Sequence, residues 1–567
     1  MFKLRHIIWA LLISLPAINV VSASIADTSE YLSAFGSTGI NYSRELWPEL
    51  NGSTVKMGLV EPSQSGSSQP DTFDFMPDLD NLSTTNINLL DIYSRYNHGI
   101  SKSTHATMIA GLLWGHDYQN NALGIVPEAL VSIYEAEWFI FYCVIGQETR
   151  TLDTDVLSLS WGTQKDDRFT QWWQRGIDKL AERENIVIVA AAGNGDAINR
   201  PSSSYNVISV GAADCPSFKY NLIDYVTKPN KNDSSLGPVD NHRCKPDIIA
   251  PGVFVGPTAN NETLLLKKPC SSFAVPYVSG AAGMLIDSAR KNLIAGGDDA
   301  KLVKSLLLSG ANKLTGWHKG LCNGNDDTFI PLDYQQGAGL LDVSRALDIL
   351  HAGKYKPDGL NEPIGWDIDT LYLDRKQGKF EKNYIFDTPL QLGQNFTATL
   401  CWNKHFTDDR SHQEIAGTIL MLTLWAVNDQ GIMDKSAPLD VSLSINDNLQ
   451  HIYYHNEIQD QKVSLTVTVL DGDAVNVGQE NFALSYIADY NEFTGDQLSG
   501  DVNNDGIVNI IDYAEVFSAI DNPDFANCAS EKFFYQYDLN FDCTVDHNDL
   551  QIIFDNFTKT SPWINNP

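Results

Sequence analysis

The stretch "CSSFAVPYVSG", Cys270–Gly280, opens a helix in an unusual way. It packs two serines, a cysteine, a proline and a run of small residues together, where an amphipathic surface helix shows long side chains and a charged face. Two readings compete. One is a serine N-cap followed by a proline tolerated in the first turn. The other is a reactive serine at the N-terminus of the helix, and the rest of the chain has to decide between them.

Around this stretch, from about Thr54 to Leu350, short apolar runs alternate with helical patterns. "TVKMGLVE", "VLSLSWG", "IVIVAAAGN" and "VISVGAA" read as strands, while "HATMIAGLLWG" and "FTQWWQRGIDKLAE" read as helices. Such alternation predicts an α/β fold, a parallel sheet with helices on both faces, whose ligands gather at the carboxyl ends of the strands. After "GAGLLDVSRALDIL" the character changes to "NFTATLCW", "TILMLTLWAV", "LDVSLSI", "KVSLTVTVL" and "FALSYIA" with turns between. Val441, Leu443 and Ile445, then Val463, Leu465, Val467 and Val469, alternate with polar residues as in half-buried strands, so a β-sandwich is expected.

A serine hydroxyl becomes a nucleophile only with a base in reach, a group that orients the base, and donors for the oxyanion. His105, in "STHATMIAGLLWG", precedes an apolar stripe of Ala106, Ile109, Ala110 and Leu113 that would fix its ring at a helix start. Asn194 ends a strand in "VIVAAAGNG" between two glycines, so its amide could project at the sheet edge. Each has an ordinary reading alone: a packed structural histidine, and an Asn-Gly turn.

Taken together and in order, these stretches resemble the subtilisin-like serine peptidases, in which acid, His and Ser follow one another along the chain. "HATMIAG" is similar to the family's HGTxVAG, "SLSWG" to its substrate-binding strand, "AAAGN" to its oxyanion-hole segment, and "SSFAVPYVSG" to its TSxAxPxVxG. The resemblance implies Ser272 as nucleophile, His105 as general base and Asn194 as oxyanion donor beside the Ser272 backbone amide. Ser160, Trp161 and Gly162 would line the bound peptide. Two departures stand out. "VKMGLVEPSQSG" carries Glu61 where the family has Asp, which leaves Asp71 or Asp74 as alternative orienters, or none. Cys270-Ser271 replaces the family's Gly-Thr before the nucleophile.

The last segment repeats: "DVNNDGIVNIID" and "DLNFDCTVDHND" are acidic twelve-residue loops, each leading into an apolar stretch. Oxygens at positions one, three, five, nine and twelve suit a hard cation, and Ca2+ is expected. The repeat resembles dockerin domains. That pattern implies one calcium on Asp501, Asn503, Asp505, Asp512 and the Ile507 backbone oxygen, and another on Asp538, Asn540, Asp542, Asp549 and the Thr544 backbone oxygen. Cys543 stands where Gly ordinarily makes the sharp turn, which weakens the second loop.

The chain begins with Lys3 and Arg5, an apolar run from Ile7 to about Ala17, and Val21-Ser22-Ala23, the pattern of an export signal cut after Ala23. No later segment is apolar and long enough to span a bilayer. Eight cysteines fit an oxidising compartment, with only Cys528 and Cys543 close enough in sequence to suggest a pair. A formal charge of −32 argues against nucleic acid as a partner.

The expected organisation is therefore a signal (1–23), an N-terminal segment (24–53), a peptidase domain (54–353), a β-sandwich (354–497) and a small α-helical paired calcium-loop domain (498–560). The expected function is a secreted serine endopeptidase acting on protein or peptide substrates. Its dockerin-like module would hold it on a cohesin-type scaffold, as in polysaccharide-degrading assemblies. The rival readings are a catalytically silent peptide-binding protein, silenced by Glu61, and an adhesion or scaffold component.

Overall fold

The computed structural model describes residues 34–65, 73–80, 87–95, 100–116, 123–145, 151–213, 229, 233–257, 263–265, 270–314, 317–319, 328–357, 359–372, 380–407, 411–415, 418–428, 430–470, 479–489, 513, 516–517, 520 and 547–556. The chain divides into two compact units, 1–491 and 492–567.

In the first unit seven strands form one sheet: β1 (Lys56–Glu61), β2 (Leu89–Tyr93), β3 (Leu130–Glu135), β4 (Val156–Leu159), β5 (Val187–Ala191), β6 (Ile208–Ala213) and β7 (Ile248–Pro251). Their order is β7-β6-β5-β4-β1-β3-β2 and every pairing is parallel. Alternate side chains enter two separate cores. Val187, Val189 and Ala191 face one and Ile188 and Ala190 the other, which is why these strands are apolar without interruption.

The first core is closed by α1 (Thr104–Trp114), α3 (Ser271–Lys291), α4 (Ala300–Gly310) and α5 (Val343–Ala352), the second by α2 (Arg168–Glu184). α2 starts on a capping box in which Asp167 accepts from the Phe169 and Thr170 amides. The helix α1 buries far more than the expected stripe: every residue from His105 to Trp114 is buried. At Gly280 a Cβ would lie 2.5 Å from Ile125 Cγ2, so only glycine lets α3 lie this close to its neighbour.

Two further sheets follow. One holds Leu360–Asn361, Glu381–Phe386, Val463–Val469, Leu420–Ala426 and Asp440–Ser442; the other holds Ile364–Tyr372, Gln479–Asp489, Asn395–Trp402 and Leu449–His455. All their pairings are antiparallel except that of Leu360–Asn361. Phe396, Leu422, Leu465 and Leu484 meet in a core between them. The second sheet also packs against α4: Ser305 Oγ donates to the Thr399 carbonyl at 2.7 Å, and Ser309 Oγ to Thr399 Oγ1 at 2.9 Å. Trp366, Cys401, Leu449, Ala483 and Ile487 belong to the first core of the parallel-sheet layer, so both layers share one interior.

One stretch reverses the expected pattern. Around Asp440–Ser442 it is Ser442 and Ser444 that are buried, while Ile445 is exposed. Gln450 is the cause: its Oε1 accepts from Ser442 Oγ at 2.8 Å and from the Ser444 amide at 2.9 Å, which draws the polar face inward.

In the second unit Tyr513, Val516, Phe517 and Ile520 are helical, and a helix spans His547–Asn556. Val516, Leu550 and Ile553 are buried. The helix starts three residues before the expected Leu550 and includes Asp549. The signal segment, Asp71, Cys215, Cys322, Cys528, Cys543 and the loop residues Asp501, Asn503, Asp505, Ile507, Asp512, Asp538, Asn540, Asp542 and Thr544 lie outside the described residues. No described helix is long and apolar enough to cross a membrane.

A shared interior should make the parallel-sheet layer and the antiparallel layers unfold together. Trp366 is fully buried and its Nε1 donates to the Leu350 carbonyl at 3.0 Å. Trp366→Ala is expected to lower stability by about 3–5 kcal/mol. Near-UV and far-UV circular dichroism followed through denaturant should keep one coincident transition, and two separated transitions would contradict the shared core.

Candidate active site

β1, β4 and β5 end at the same edge of the sheet, on either side of the position where strand order reverses, and that edge collects the polar residues. Glu61 is the last residue of β1 and is 1% exposed. Its Oε2 lies 2.8 Å from Nδ1 of His105, in the first turn of α1. The Ser103 hydroxyl caps that helix by accepting from the Ala106 amide at 3.2 Å. Asp74, the alternative orienter, instead accepts from Ser101 Oγ.

The rest of the pair is unsatisfied. Glu61 Oε1 and His105 Nε2 are buried with no hydrogen-bond partner among the described residues. Burial opposes protonation of His105, but the charge and hydrogen bond of Glu61 outweigh it, so the imidazole pKa stands above its ordinary 6.5. Glu135, the register partner of Glu61 on β3, is also fully buried. Its carboxylate accepts from the Trp138 amide at 3.1 Å and from Ser63 Oγ at 3.3 Å, and pairs with Arg95 Nε at 3.4 Å. Glu135 is thereby balanced separately from Glu61.

Ser272, 4% exposed, sits in the first turn of α3, which packs against α1. Its neighbour Phe273 lies 6.3 Å from the His105 ring, centroid to centroid. No hydrogen bond joins Ser272 Oγ to His105 Nε2. Such bonds are often long or misaligned before substrate binds.

Pro276 lies inside α3 rather than in its first turn. It has no N–H to give to the Ser272 carbonyl four residues back. Ser160 Oγ, just beyond β4 and fully buried, donates to that carbonyl at 2.9 Å instead. Trp161 turns into the second core against Trp173, and Gly162 runs beside Asn199 and Arg200. The side chains of Ser160 and Trp161 are thus engaged in the fold.

Asn194 is tied to the same helix start. Its Oδ1 accepts from the Ser271 amide and the Ser271 hydroxyl, each at 2.8 Å, and its Nδ2 lies 3.1 Å from Cys270 Sγ. Ser271 Oγ also accepts from the Gly193 amide at 3.0 Å. Gly193 has φ +112°, where a side chain would be strained and would meet Ser235 and Asn199 within 2.8 Å. The sequence marks Ser271 only as a departure from the family's threonine, with no role; the hydroxyl it keeps at that position was the available signal.

No metal-binding cluster occurs among the described residues. Asp549 lies in the His547–Asn556 helix. Cys244 and Cys401 are buried free thiols, Cys270 is a half-buried one, and Cys143 is buried.

Residues 38–339, more than half of the chain, match the model of the subtilase family, and residues 499–557 match that of the dockerin type I domain. Among solved structures, the prenylagaramide maturation protease PagA is 22% identical over 55% of this chain and 98% of its own, with a TM-score of 0.37. The serine protease of Aeromonas sobria is 14% identical over 83% of this chain and 96% of its own, with a TM-score of 0.40.

The Ser160 contact gives a direct test. In Ser160→Ala the Ser272 carbonyl loses its donor at a buried site, a loss of about 1–3 kcal/mol. The denaturation midpoint should fall accordingly, and an unchanged midpoint would show that another donor satisfies the carbonyl.

Proposed function

The chain belongs to the subtilase family and is a serine-type peptidase, and on that premise we propose that it is a secreted endopeptidase working through Glu61, His105 and Ser272. The Glu61–His105 contact at 2.8 Å, with His105 Nε2 left unpartnered, carries this reading. Nε2 accepts the Ser272 hydroxyl proton as Oγ attacks the scissile carbonyl. The Asn194 amide and the Ser272 backbone N–H, which has no intrahelical acceptor, receive the oxyanion. His105 then protonates the leaving amine, and water cleaves the acyl-enzyme by the reverse sequence. Glu61 holds the imidazole in the required tautomer and stabilises imidazolium. The peptide runs along the backbone of Ser160, Trp161 and Gly162.

The dockerin domain would take Ca2+ on Asp501, Asn503, Asp505, Asp512 and the Ile507 carbonyl, and on Asp538, Asn540, Asp542, Asp549 and the Thr544 carbonyl. The donor set of carboxylates, amides and backbone oxygens is that of a hard cation. So loaded, it would attach the enzyme to a cohesin-type protein on an extracellular or cell-surface scaffold, of the kind that gathers polysaccharide-degrading enzymes.

Two experiments test the site. A fluorophosphonate probe should label the parent and not Ser272→Ala; an unlabelled parent would favour a silent peptide-binding protein. Glu61→Gln should lower kcat by about ten-thousand-fold, as the corresponding amide swap does in another serine protease. Within about tenfold of the parent, Glu61 would be removed from the mechanism.

The pH profile follows from the raised His105 pKa. Only neutral imidazole can accept the proton, so kcat/KM should fall on the acid side at a pH above the ordinary 6.5. Stability runs the other way. The pair's contribution is full below the unfolded-state pKa and is lost as pH rises through the folded one. An acid limb below 6.5 would contradict the pairing.

For the tethering half, loop positions ten and eleven are Ile510-Ile511 in the first copy and His547-Asn548 in the second. The copies are chemically unlike, so one face should grip the partner. Ile511→Asp is expected to weaken binding to a cohesin-type protein more than His547→Asp, and chelation should speed amide exchange across 500–560. Equal losses, or exchange indifferent to calcium, would refute these points.

A further inference from the structure

Cys270 occupies the N-cap of the 21-residue helix α3, yet its side chain makes no capping bond. Its sulfur turns instead toward Asn194, 3.1 Å from Nδ2. The identity of that amide end is fixed by chemistry. The Ser271 backbone N–H can only donate, so it must meet Oδ1, at 2.8 Å, and the NH2 end must then face the sulfur. A terminal amide torsion is broad when unrestrained. Here it is held at both ends, by two donors on Oδ1 and by the thiol on Nδ2.

We infer that Cys270 is a positioning residue for the oxyanion donor: its thiol aligns the Asn194 amide so that the second Nδ2 hydrogen points at the developing charge. This rests on the proposed roles of Ser272 and Asn194. Sulfur suits the task because it is a weak acceptor. It fixes the direction of one N–H without competing with an oxyanion for the other. A residue without a side chain at this position supplies no such contact, and Asn194 would then be held by Ser271 alone.

The test uses the full chain, with active-site concentration fixed by fluorophosphonate titration. Cys270→Ala should lower kcat by about tenfold with KM and the unfolding midpoint little changed, less than the roughly 10²–10³-fold that outright loss of an oxyanion donor brings. Cys270→Ser, which restores an acceptor, should recover most of that loss. Methyl methanethiosulfonate provides an independent arm. It converts the thiol to a methyl disulfide and releases methanesulfinate, and it should inhibit the parent reversibly by dithiothreitol while leaving Cys270→Ala unaffected. The other described thiols, Cys143, Cys244 and Cys401, are buried. An Ala variant with parental kcat, or one changed in KM alone, would overturn the inference. A parent that fails to react with fluorophosphonate would overturn the Ser272 reading beneath it, so the two failures are distinguishable.

Discussion

A proline inside a helix leaves a carbonyl without its donor, and here that carbonyl belongs to Ser272. The hydrogen bond from Ser160 Oγ that replaces it, at 2.9 Å, joins the end of β4 to the first turn of α3. The Asn194–Ser271 contacts join the end of β5 to the same turn. The helix start is therefore pinned to two adjacent strands by groups that the proline and the cap leave open. A continuous helix would have satisfied the Ser272 carbonyl internally and lost the cross-link. The opening serines thus divide the labour: Ser271 Oγ binds the sheet edge, and Ser272 Oγ makes no hydrogen bond among the described residues.

The same edge explains the charge arrangement. Parallel register sets Glu61 beside Glu135 at the ends of β1 and β3, two buried carboxylates that would repel if both looked the same way. Arg95, Ser63 and the Trp138 amide engage Glu135, leaving Glu61 to His105. A glutamate at the end of β1 reaches the imidazole at an ordinary hydrogen-bond distance, so its extra methylene relative to aspartate is accommodated in the fold. What that methylene does to turnover is a separate matter of angle and tautomer, to which a rate is far more sensitive than a static distance.

The parts legible in the sequence were those written as local pattern. Strands buried on both faces are continuously apolar, and "NFTATLCW" falls on the strand Asn395–Trp402 residue for residue. Periodicity failed where a long-range partner decided the facing, as at Ser442 and Ser444, whose inward turn depends on Gln450. It also missed the roles of Ser160 and Cys270, because one replaces a bond that Pro276 removes and the other meets Asn194 across 76 positions of sequence. Nothing in "SLSWG" alone says that its second serine faces a helix. Strand alternation after Leu350 suggested a sandwich following the peptidase domain; nothing local to Ser305 and Ser309 marks them as the α4 residues that bond to its second sheet.

That partner sheet bears on the site through rigidity. α4 and α5 are covered by Ile364–Tyr372, Asn395–Trp402 and Gln479–Asp489, and α3 packs against α4 and α5 in turn. A second attachment lies at the end of α2. His405, between two strands of the antiparallel layers, lies 2.5 Å from Glu182 and 3.2 Å from Glu480. Burial disfavours its charge, but the two carboxylates prevail and raise its pKa to about 10. The contribution of this contact is full below 6.5, declines as pH rises and is gone above about 10. At neutral pH the antiparallel layers therefore hold the parallel-sheet layer both by apolar packing behind α3 and by an ion pair at α2. If Ser272 has the proposed role, the first turn of this helix must stay within ~1 Å of its working geometry, and it gains from being braced along its length as well as at its tip.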